Sequence, residues 1–170
     1  MSTTPAYRAA TLSFDAVEGL SIKPVTKDDF HDWLSMALQL WPDYEPDELK
    51  AILEGLIPDN KQEPFICRLS DGSPAGFLDL STRTDYVEGT QTSPVGFIEG
   101  IFVQEHLRGQ GIGRALVEFA ERWAADKGYT ELASDAELDN LDSHAFHKAA
   151  GFEEAGRVVA FVKNLVKKPD

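Results

Sequence analysis

The chain has 170 residues, of which 42% are hydrophobic; this is enough for one compact domain with a buried core, and no apolar run is long enough to span a bilayer. Sixteen lysines and arginines against 29 aspartates and glutamates leave a formal net charge of −13. That charge argues against nucleic acid and anionic membranes as partners and favours a cationic partner, although an acidic surface can also serve solubility alone.

The single cysteine, Cys67, leaves no possibility of a disulfide framework within the chain. The N-terminal sequence MSTTPAYRAATLSF has neither the basic start nor the long apolar core of a secretory signal. Both features predict a reducing, cytoplasmic setting. Cys67 lies in the apolar run PFICRL and is predicted to be a buried strand residue, not a nucleophile.

The first third of the chain predicts one strand and two helices. Residues 1–19 are weakly patterned and predict an N-terminal extension, so a single folded domain is expected over residues 20–170. A strand is expected in LSIKPV, followed by a helix in TKDDFHDWLSMALQLW, where Thr26 and Asp29 have the spacing of a cap and Pro42 ends the apolar repeat. A second helix is expected over PDELKAILEGLI.

The rest of the chain alternates strand and helix patterns. Strands are expected in EPFICRLSD, SPAGFLDLSTR, VGFIEGIFV and ELASDAE, with a last strand or strand pair across FEEAGRVVAFVKNL. Helices are expected after Gly111 and from about Asn140 to Ala150. This alternation predicts an α/β or α+β sheet with helices packed on its faces.

The segment RGQGIGRALVEFAERWA places three glycines directly before the most regular of the predicted helices. Gly109, Gly111 and Gly113 have no Cβ, so a ligand can approach the backbone amides closely. The helix start adds unpaired N–H groups and the positive end of a macrodipole, which together with Arg108 and Arg114 favours a bound phosphate. An ordinary strand-to-helix connection with solvated arginines would use the same residues.

The loop pattern Arg-x-x-Gly-x-Gly, at Arg108, Gly111 and Gly113, resembles the pyrophosphate-binding signature of the GNAT superfamily of N-acetyltransferases. Four longer blocks resemble the chromosomal aminoglycoside 6'-N-acetyltransferases within it: LWPDYEPDE, STRTDYVEGTQTSPVGFIEGIFV, ELASDAELDN and HKAAGFEE. The resemblance extends from about Leu20 to Val162. It implies the GNAT fold, a mixed and mostly antiparallel central sheet with helices on both faces. It also implies a homodimer without a metal, which transfers acetyl from acetyl-CoA to the 6'-amine of aminoglycoside antibiotics by direct attack.

The resemblance further implies which residues hold acetyl-CoA. The signature loop would bind the pyrophosphate, the backbone groups of Ile101 and Val103 would bind the pantetheine and acetyl unit, and a main-chain N–H there would hold the oxyanion. Asn140 would contact the pantetheine arm, although it is equally well placed to cap the helix that follows. The implied cofactor-binding residues are Ile101, Phe102, Val103, Arg108, Gly109, Gln110, Gly111, Ile112, Gly113, Arg114 and Asn140.

A site for a polycationic amino sugar needs carboxylates and aromatic edges around one cleft. Carboxylates at predicted strand ends and in loops near the glycine turn are Asp85, Glu88, Glu99, Asp135, Glu137, Asp139 and Asp142. The substrate-binding residues implied by the resemblance are Trp41, Tyr44, Asp85, Tyr86, Glu99 and Asp135. Trp41 could instead serve only to pack the end of a helix.

Glu99 is the candidate catalytic base because it interrupts an otherwise apolar strand. A sugar ammonium has to lose a proton before its nitrogen can attack, and a nearby carboxylate can bind the cation and accept that proton. By resemblance, Asp135 joins Glu99 at the reacting amine. The alternatives for Glu99 are a charge at a strand edge or a partner for an arginine.

Two positions depart from the family pattern. His147 stands where many relatives have the tyrosine that reprotonates the coenzyme A thiolate, so it is the third catalytic candidate, with an ordinary helix residue as the alternative. Gly156 stands where relatives offer an acidic residue from the neighbouring subunit. The absence of that contact would predict a different antibiotic range.

Two other functions fit the same residues. One is a GNAT enzyme that acetylates a different amine, such as a polyamine, a protein lysine or a protein N-terminus. The other is a non-catalytic module that binds acyl-CoA. A pure sensor has no need of Glu99, Asp135 or the three aromatic residues, so these favour acetyl transfer.

Overall fold

The computed structural model describes residues 19–57 and 61–165 of the chain. The chain divides into two compact units, one ending at Asp135 and the other beginning at Ala136. The predicted N-terminal extension over residues 1–19 lies, apart from Gly19, outside the described residues. No helix within the described ranges is long and apolar enough to cross a membrane.

The first unit contains a five-stranded sheet and three helices. The strands are β1 (Ser21–Pro24), β2 (Gln62–Arg68), β3 (Pro74–Arg83), β4 (Val95–Val103) and β5 (Leu132–Ser134). The helices are α1 (Phe30–Leu40), α2 (Pro46–Leu56) and α3 (Ile112–Asp126), with short 3-10 turns at Lys27–Asp29 and Glu105–Leu107. The strand order is β1-β2-β3-β4-β5.

Local chemistry accounts for the helix ends of the first unit. The backbone N–H and the hydroxyl of Thr26 both donate to the Asp29 carboxylate, at 3.0 and 2.7 Å, directly before α1. Helix α1 ends at Leu40, two residues before Pro42, whose ring cannot continue a helix. Gly128, with φ of +81°, follows the end of α3 in the left-handed conformation that glycine tolerates.

The helices of this unit pack on both faces of the sheet. Helices α1 and α2 share a buried cluster with Phe77 and Phe102. On the opposite face, Phe119 of α3 packs edge-on against Phe65, with ring centroids 4.8 Å apart. Neighbouring strands pair antiparallel except β4 and β5, which are parallel. The predicted mixed, mostly antiparallel sheet with helices on both faces is therefore confirmed.

Cys67 is fully buried in β2, as predicted. Burial raises the pKa of its thiol to about 12, so the thiolate that a nucleophile requires is not populated near neutral pH.

The second unit contains one helix, α4 (Leu141–Ala149), among its described residues. The predicted strand or strand pair in FEEAGRVVAFVKNL is wrong for the single chain, because residues 152–164 form no helix or strand. Apolar side chains in this segment are exposed, Phe161 by 93% and Val162 by 92%. Strand-forming residues without a neighbouring strand have no backbone partners to pair with, and β propensity alone does not replace them.

Candidate active site

The glycine loop before α3 presents backbone amides to solvent. Gly109 and Gly111 have φ of +74° and +86°, a conformation that L side chains rarely adopt, and a Cβ on Gly109 would meet nothing within 4 Å. The first backbone bond of the helix runs from Ala115 N–H to the Gly111 carbonyl at 3.0 Å. The three amides before Ala115, at positions 112–114, are the N–H groups that a helix start leaves without an intrahelical partner, a type of group that suits an anion.

The two arginines of the loop are placed differently. Arg108 donates from Nε to the Val103 carbonyl at 3.2 Å, and its guanidinium lies 5.9 Å from the centre of the Phe102 ring. It is thus held against the end of β4. Arg114 lies on the first turn of α3 and pairs with Glu118 one turn later, at 3.2 Å. Only Arg114 is therefore on the helix itself, whereas Arg108 is fixed at the strand end that precedes the loop.

Strand β4 has an open edge beyond its midpoint. Its pairing with β5 covers Gly96 to Ile98 only, since β5 ends at Ser134, whereas its pairing with β3 continues to Val103. The predicted cofactor residues Ile101, Phe102 and Val103 lie on this part of β4. Among the described strands, none pairs with it on the β5 side, so its backbone groups are available to an extended ligand there.

Glu99 is the extra residue of a β-bulge. The register passes from Leu80 opposite Ile98 to Asp79 opposite Gly100, so Glu99 has no Cα partner on β3. Bulges bend a strand and redirect a side chain, and they recur beside active sites. The prediction that Glu99 interrupts strand VGFIEGIFV is thus realised as a bulge in a strand that is otherwise continuous from Val95 to Val103.

The Glu99 carboxylate is held by two side chains of β3. Arg83 donates from Nε to Oε1 at 3.0 Å and from Nη2 to Oε2 at 2.7 Å, and the Ser81 hydroxyl donates to Oε1. The Glu99 side chain is still 24% exposed. The possibility that Glu99 partners an arginine is therefore correct, and the same ion pair keeps an accessible carboxylate fixed in one orientation.

Trp41 lies against Gly100, the residue after Glu99. A Cβ on Gly100, the residue after Glu99, would be 2.7 Å from Cζ2 of the indole ring. The indole also packs against Phe77, with ring centroids 5.8 Å apart. Trp41 follows the last residue of α1, so the end of that helix places the indole against Gly100, next in sequence to the candidate base.

Asp79 of β3 lies opposite Gly100 and is hydrogen-bonded to Gln62 of β2. Asp79 is fully buried in β3, and Gln62 Nε2 donates to its Oδ2 at 2.7 Å. Burial, opposed by the bond from Gln62 and assisted by the negative charge of Glu99, raises the pKa of Asp79 to about 7. Together, Asp79, Ser81, Arg83, Gln62, Glu99 and Trp41 form what we call the acceptor face.

The loop between β3 and β4 carries the predicted residues Asp85 and Tyr86. Tyr86 is 81% exposed, and its hydroxyl donates to Glu88 at 3.0 Å. Glu131 binds the far end of the loop. Its carboxylate accepts hydrogen bonds from the backbone N–H groups of Gln91 and Thr92 and from the Thr92 hydroxyl. These bonds hold the pKa of Glu131 below its ordinary value, the Thr92 hydroxyl contributing most.

The remaining substrate candidates of the first unit are exposed. Tyr44 is 43% exposed, and its backbone N–H donates to the Trp41 carbonyl at 3.3 Å. Asp135 is exposed and follows Ser134, whose Cα partner on β4 is Ile98, the residue before Glu99. The pairing between the parallel strands β4 and β5 ends at Ile98 and Ser134. Glu99 and Asp135 are the next residues on the two strands, so they follow the same end of this pairing.

Asn140 and His147 belong to the second unit. Asn140 caps α4, with its Oδ1 accepting the Ser143 N–H at 3.0 Å, so the capping alternative is confirmed. His147 Nδ1 lies 2.8 Å from the Ser143 carbonyl, which requires a proton on Nδ1. Release of a proton from Nε2 would then require the doubly protonated imidazolium.

Comparison with known proteins shows which family the chain belongs to. Residues 27–152 match the acetyltransferase (GNAT) family. The chain belongs to the GNAT acetyltransferase family. Its predicted enzyme class, an N-acetyltransferase that uses acetyl-CoA, is thereby confirmed. The open β4 edge and the loop before α3 are the two features of this GNAT domain that suit an extended, pyrophosphate-containing coenzyme.

Relatives extend the comparison over most of the chain. Aminoglycoside N(6')-acetyltransferase type 1 from Stenotrophomonas maltophilia is 42% identical over 141 residues, covering 83% of this chain and 91% of the relative. The enzyme of the same name from Acinetobacter baumannii is 42% identical over 146 residues, covering 86% of this chain and 99% of the relative.

Solved structures agree with these relatives. The crystal structure of aminoglycoside antibiotic 6'-N-acetyltransferase AAC(6')-Ih from Acinetobacter baumannii superposes with a TM-score of 0.81 at 43% identity, covering 86% of this chain and 99% of that one. The structure of AAC(6')-Iy in complex with a bisubstrate analogue, CoA-S-monomethyl-acetylneamine, has a TM-score of 0.79 at 37% identity, covering 85% of this chain and 98% of that one.

Sequence reasoning missed four members of the acceptor face: Gln62, Asp79, Ser81 and Arg83. A signal for three of them is present in GFLDLSTR, where polar residues occupy every second position of an apolar strand. That period places them on one face of a strand. Within the described residues, no group of three or more His, Cys, Asp or Glu side chains is arranged to hold a metal ion.

Proposed function

We propose that the chain is an aminoglycoside 6'-N-acetyltransferase. The observation that carries the proposal is the acceptor face, where a fixed and accessible Glu99 carboxylate and the Trp41 indole lie beside the open edge of a GNAT β4. A cation and a sugar ring need these two groups side by side, a negative charge and a flat apolar surface. The names of relatives that are 42% identical support the same substrate.

The coenzyme would be held mainly by backbone groups. The amides from Gly109 to Arg114, with the Arg108 and Arg114 guanidinium groups and the Gln110 side chain nearby, suit the pyrophosphate. The β4 backbone from Ile101 to Val103 suits the pantetheine arm and the acetyl carbonyl, and Asn140 remains a candidate for the arm by resemblance alone. When bound, acetyl-CoA supplies an activated acetyl group as a thioester.

The amino sugar would be bound by the carboxylates and rings of the first unit. Glu99 and Asp135 flank the reacting ammonium, and Trp41 packs on the ring that carries it. Tyr44, Asp85 and Tyr86, all exposed, contact the other rings. With a formal net charge of −13, the chain attracts such a polycation and repels nucleic acid and anionic lipid.

Proton transfer completes the proposed reaction. Glu99 accepts a proton from the 6'-ammonium, directly or through water, and frees the nitrogen lone pair. The new C–N bond replaces the C–S bond of the thioester, and the attacking nitrogen then loses a second proton to water. The products are the 6'-acetamide and the coenzyme thiol, and the proton on sulfur comes from an acid for which His147 is the candidate. No oxidant or reductant is needed.

The test is a comparison of amine substrates. Thiol release from acetyl-CoA is measured with kanamycin, tobramycin, spermidine and a lysine peptide, and the kanamycin product is located by fragmentation mass spectrometry. Rapid turnover of the antibiotics with acetylation at the 6' position is expected. Equal or faster turnover of spermidine or the peptide would instead assign the chain to a different amine, and turnover of none would leave only an acyl-CoA-binding module.

A homodimer is proposed as the working state. Five apolar side chains of the C-terminal segment are 70 to 93% exposed, a strand-forming surface that a second copy would cover: Val158, Val159, Phe161, Val162 and Leu165. Light scattering is expected to give twice the 18.8 kDa mass of one chain. Phe161→Asp should give monomers, whereas Ile52→Asp on α2 should not; a monomeric wild-type chain would refute the proposal.

The remaining assignments concern location and chain organisation. A cytoplasmic location is proposed for two reasons. The only cysteine is a buried thiol, and the proposed reaction uses acetyl-CoA, which is a cytoplasmic metabolite. Residues 20–170 are proposed to act as a single acetyltransferase domain preceded by an extension. A version lacking residues 1–19 should retain full antibiotic acetylation.

A further inference from the structure

Asp79 is a buried carboxyl group that the proposed reaction does not use. Among the described residues, only Asp79 and Ser81 are polar and buried, and Ser81 is accounted for by its bond to Glu99. Asp79 accepts one hydrogen bond, from Gln62 to Oδ2 at 2.7 Å, while its Oδ1 is buried with no hydrogen-bond partner in the described structure. A buried carboxylate oxygen without a partner is unfavourable, so its presence calls for an explanation.

The register places Asp79 at the floor of the acceptor face. It lies opposite Gly100, directly after the bulge that carries Glu99, and the Trp41 indole covers Gly100 on the same face of the sheet. Ser81 and Arg83, which bind Glu99, follow Asp79 at every second residue on the same face of β3. The site for the ammonium is therefore next to this buried carboxyl group.

The charges around Asp79 do not neutralise it. Glu99 of β4 adds a second negative charge, and the guanidinium of Arg83 is already engaged by both oxygens of Glu99. From β2 comes only the uncharged amide of Gln62. Helices α1 and α2 turn apolar side chains toward this face of the sheet: Trp33, Met36, Ala37, Leu49 and Leu53. Among the residues described, Asp79 when ionised therefore has no cation of its own until a substrate brings one.

We propose that Asp79 is a second counterion of the acceptor site, which loses its proton when the amino-sugar ammonium binds. The inference rests on the proposed function. The O–H bond of the Asp79 carboxyl breaks and its proton passes to solvent, so that substrate binding is accompanied by proton release. The pKa of Asp79, raised to about 7 by burial in the free protein, places this exchange in the neutral range. An opposite charge close by favours the ionised form and lowers that pKa.

A purely structural role does not explain the residue. Asparagine has the same shape, could still accept the bond from Gln62 and would avoid burying an ionisable group. Groups that are unfavourable for folding are typically retained for function. Asp79 thus acts on binding through its charge and is not a group that receives the reacting proton.

The experiment is calorimetry of kanamycin binding at pH 7 in two buffers of different ionisation enthalpy. The difference in measured heat gives the number of protons released. The variants are Asp79→Asn and, as a matched control, Glu54→Gln, which removes the same charge from the exposed face of α2, where Glu54 lies 4.0 Å from the Lys50 ammonium. Wild type and control should release about half a proton more than Asp79→Asn, as expected for a group half protonated at pH 7.

A second variant keeps the test decisive if Asp79→Asn folds poorly. The Gln62 bond lowers the pKa of Asp79, so Gln62→Leu should shift the pH at which kanamycin affinity rises to higher values. Equal proton release by wild type and Asp79→Asn, or an unmoved affinity profile in Gln62→Leu, would refute the proposal.

The proposed function fails separately, and the wild-type chain reports that failure. If wild type does not acetylate kanamycin, the antibiotic assignment is wrong and this inference falls with it. If wild type acetylates kanamycin at the 6' position and Asp79→Asn releases the same protons, only the counterion proposal is wrong.

Discussion

The two halves of the candidate site are built in different ways. The coenzyme half consists of consecutive residues, from Arg108 to Arg114, whose backbone amides face outward because two glycines adopt positive φ. The acceptor face is assembled from side chains of β2, β3, β4 and the end of α1, more than fifty positions apart in the chain at their extremes.

This difference affects how each half responds to change. A backbone amide survives the replacement of its own side chain, so the loop should lose coenzyme affinity gradually as arginines are removed. The acceptor face depends on individual side chains in one connected set, and removal of one member leaves others without partners. Substitutions there should affect turnover or the amino sugar, and leave the coenzyme unaffected.

The largest effect is expected for Glu99→Gln, which removes the base and keeps the shape. We expect kcat to fall by about 100-fold or more, as for loss of a general base, with little change in the Kd of acetyl-CoA. Steady-state kinetics with kanamycin and calorimetry with acetyl-CoA measure the two quantities. Glu54→Gln is the control. An unchanged kcat would show that Glu99 is not the base.

On the coenzyme side, Arg108→Ala should raise the KM of acetyl-CoA about tenfold, because one cation at the pyrophosphate is lost, with kcat nearly unchanged. Arg122→Ala, the same change on the outer side of α3, should leave both constants near their wild-type values. A larger effect on the KM of kanamycin than on that of acetyl-CoA would contradict this prediction, because it would assign Arg108 to the acceptor face.

The contact between Gly100 and Trp41 predicts a smaller effect on the acceptor side. A methyl group at Gly100 would stand 2.7 Å from the indole, so Gly100→Ala should displace Trp41 and raise the KM of kanamycin several-fold. Gly55→Ala in α2 is the matched control, since a Cβ there meets nothing within 4 Å. A raised KM for acetyl-CoA, with an unchanged KM for kanamycin, would show that Trp41 does not bind the amino sugar.

Asp79 predicts a pH-dependent effect on stability. Burial raises the pKa of Asp79 to about 7 in the folded chain, well above the ordinary value of about 3.9 that it takes in the unfolded chain, so between these pH values the folded chain keeps a proton that the unfolded chain has lost. Stability contributed by the neutral acid is therefore lost as pH rises from about 4 to about 7. Asp79→Asn should be more stable than wild type at pH 8 by about 1 to 2 kcal/mol, and by less at pH 5.

Thermal unfolding at the two pH values measures this difference, with Glu54→Gln as the control for loss of one negative charge. An Asp79→Asn protein that is less stable than wild type at pH 8 would mean that the carboxylate is compensated in the fold, contrary to the lack of a partner for Oδ1.

Much of the fold follows from local patterns. The period of apolar residues predicted β4 and α3 closely, and the Thr26–Asp29 pair predicted the start of α1. The strand expected in FEEAGRVVAFVKNL was wrong because a strand is defined by its neighbour, and residues 152–164 have none in the single chain. Family membership followed from the loop and the four sequence blocks, which are contiguous.

The candidate site was less accessible to sequence reasoning. Glu99 is conspicuous as a charge in an apolar strand, and Trp41 as an aromatic residue at a helix end. The hydrogen bonds from Arg83 and Ser81 to the Glu99 carboxylate were not predicted. They depend on which residues of β3 face the bulge, and that depends on a register shift of one residue. Whether Asp135 and His147 act at the reacting amine and thiol stays a prediction.

By itself, the sequence determined the glycine turn before α3 and the family, because a turn, its glycines and the helix that follows are properties of neighbouring residues. Only the tertiary structure decided that Asp79 is buried beside Glu99, because burial and charge proximity arise where β2, β3 and β4 meet. A carboxyl group has the same chemistry in any sequence, and its surroundings in the folded chain set its charge.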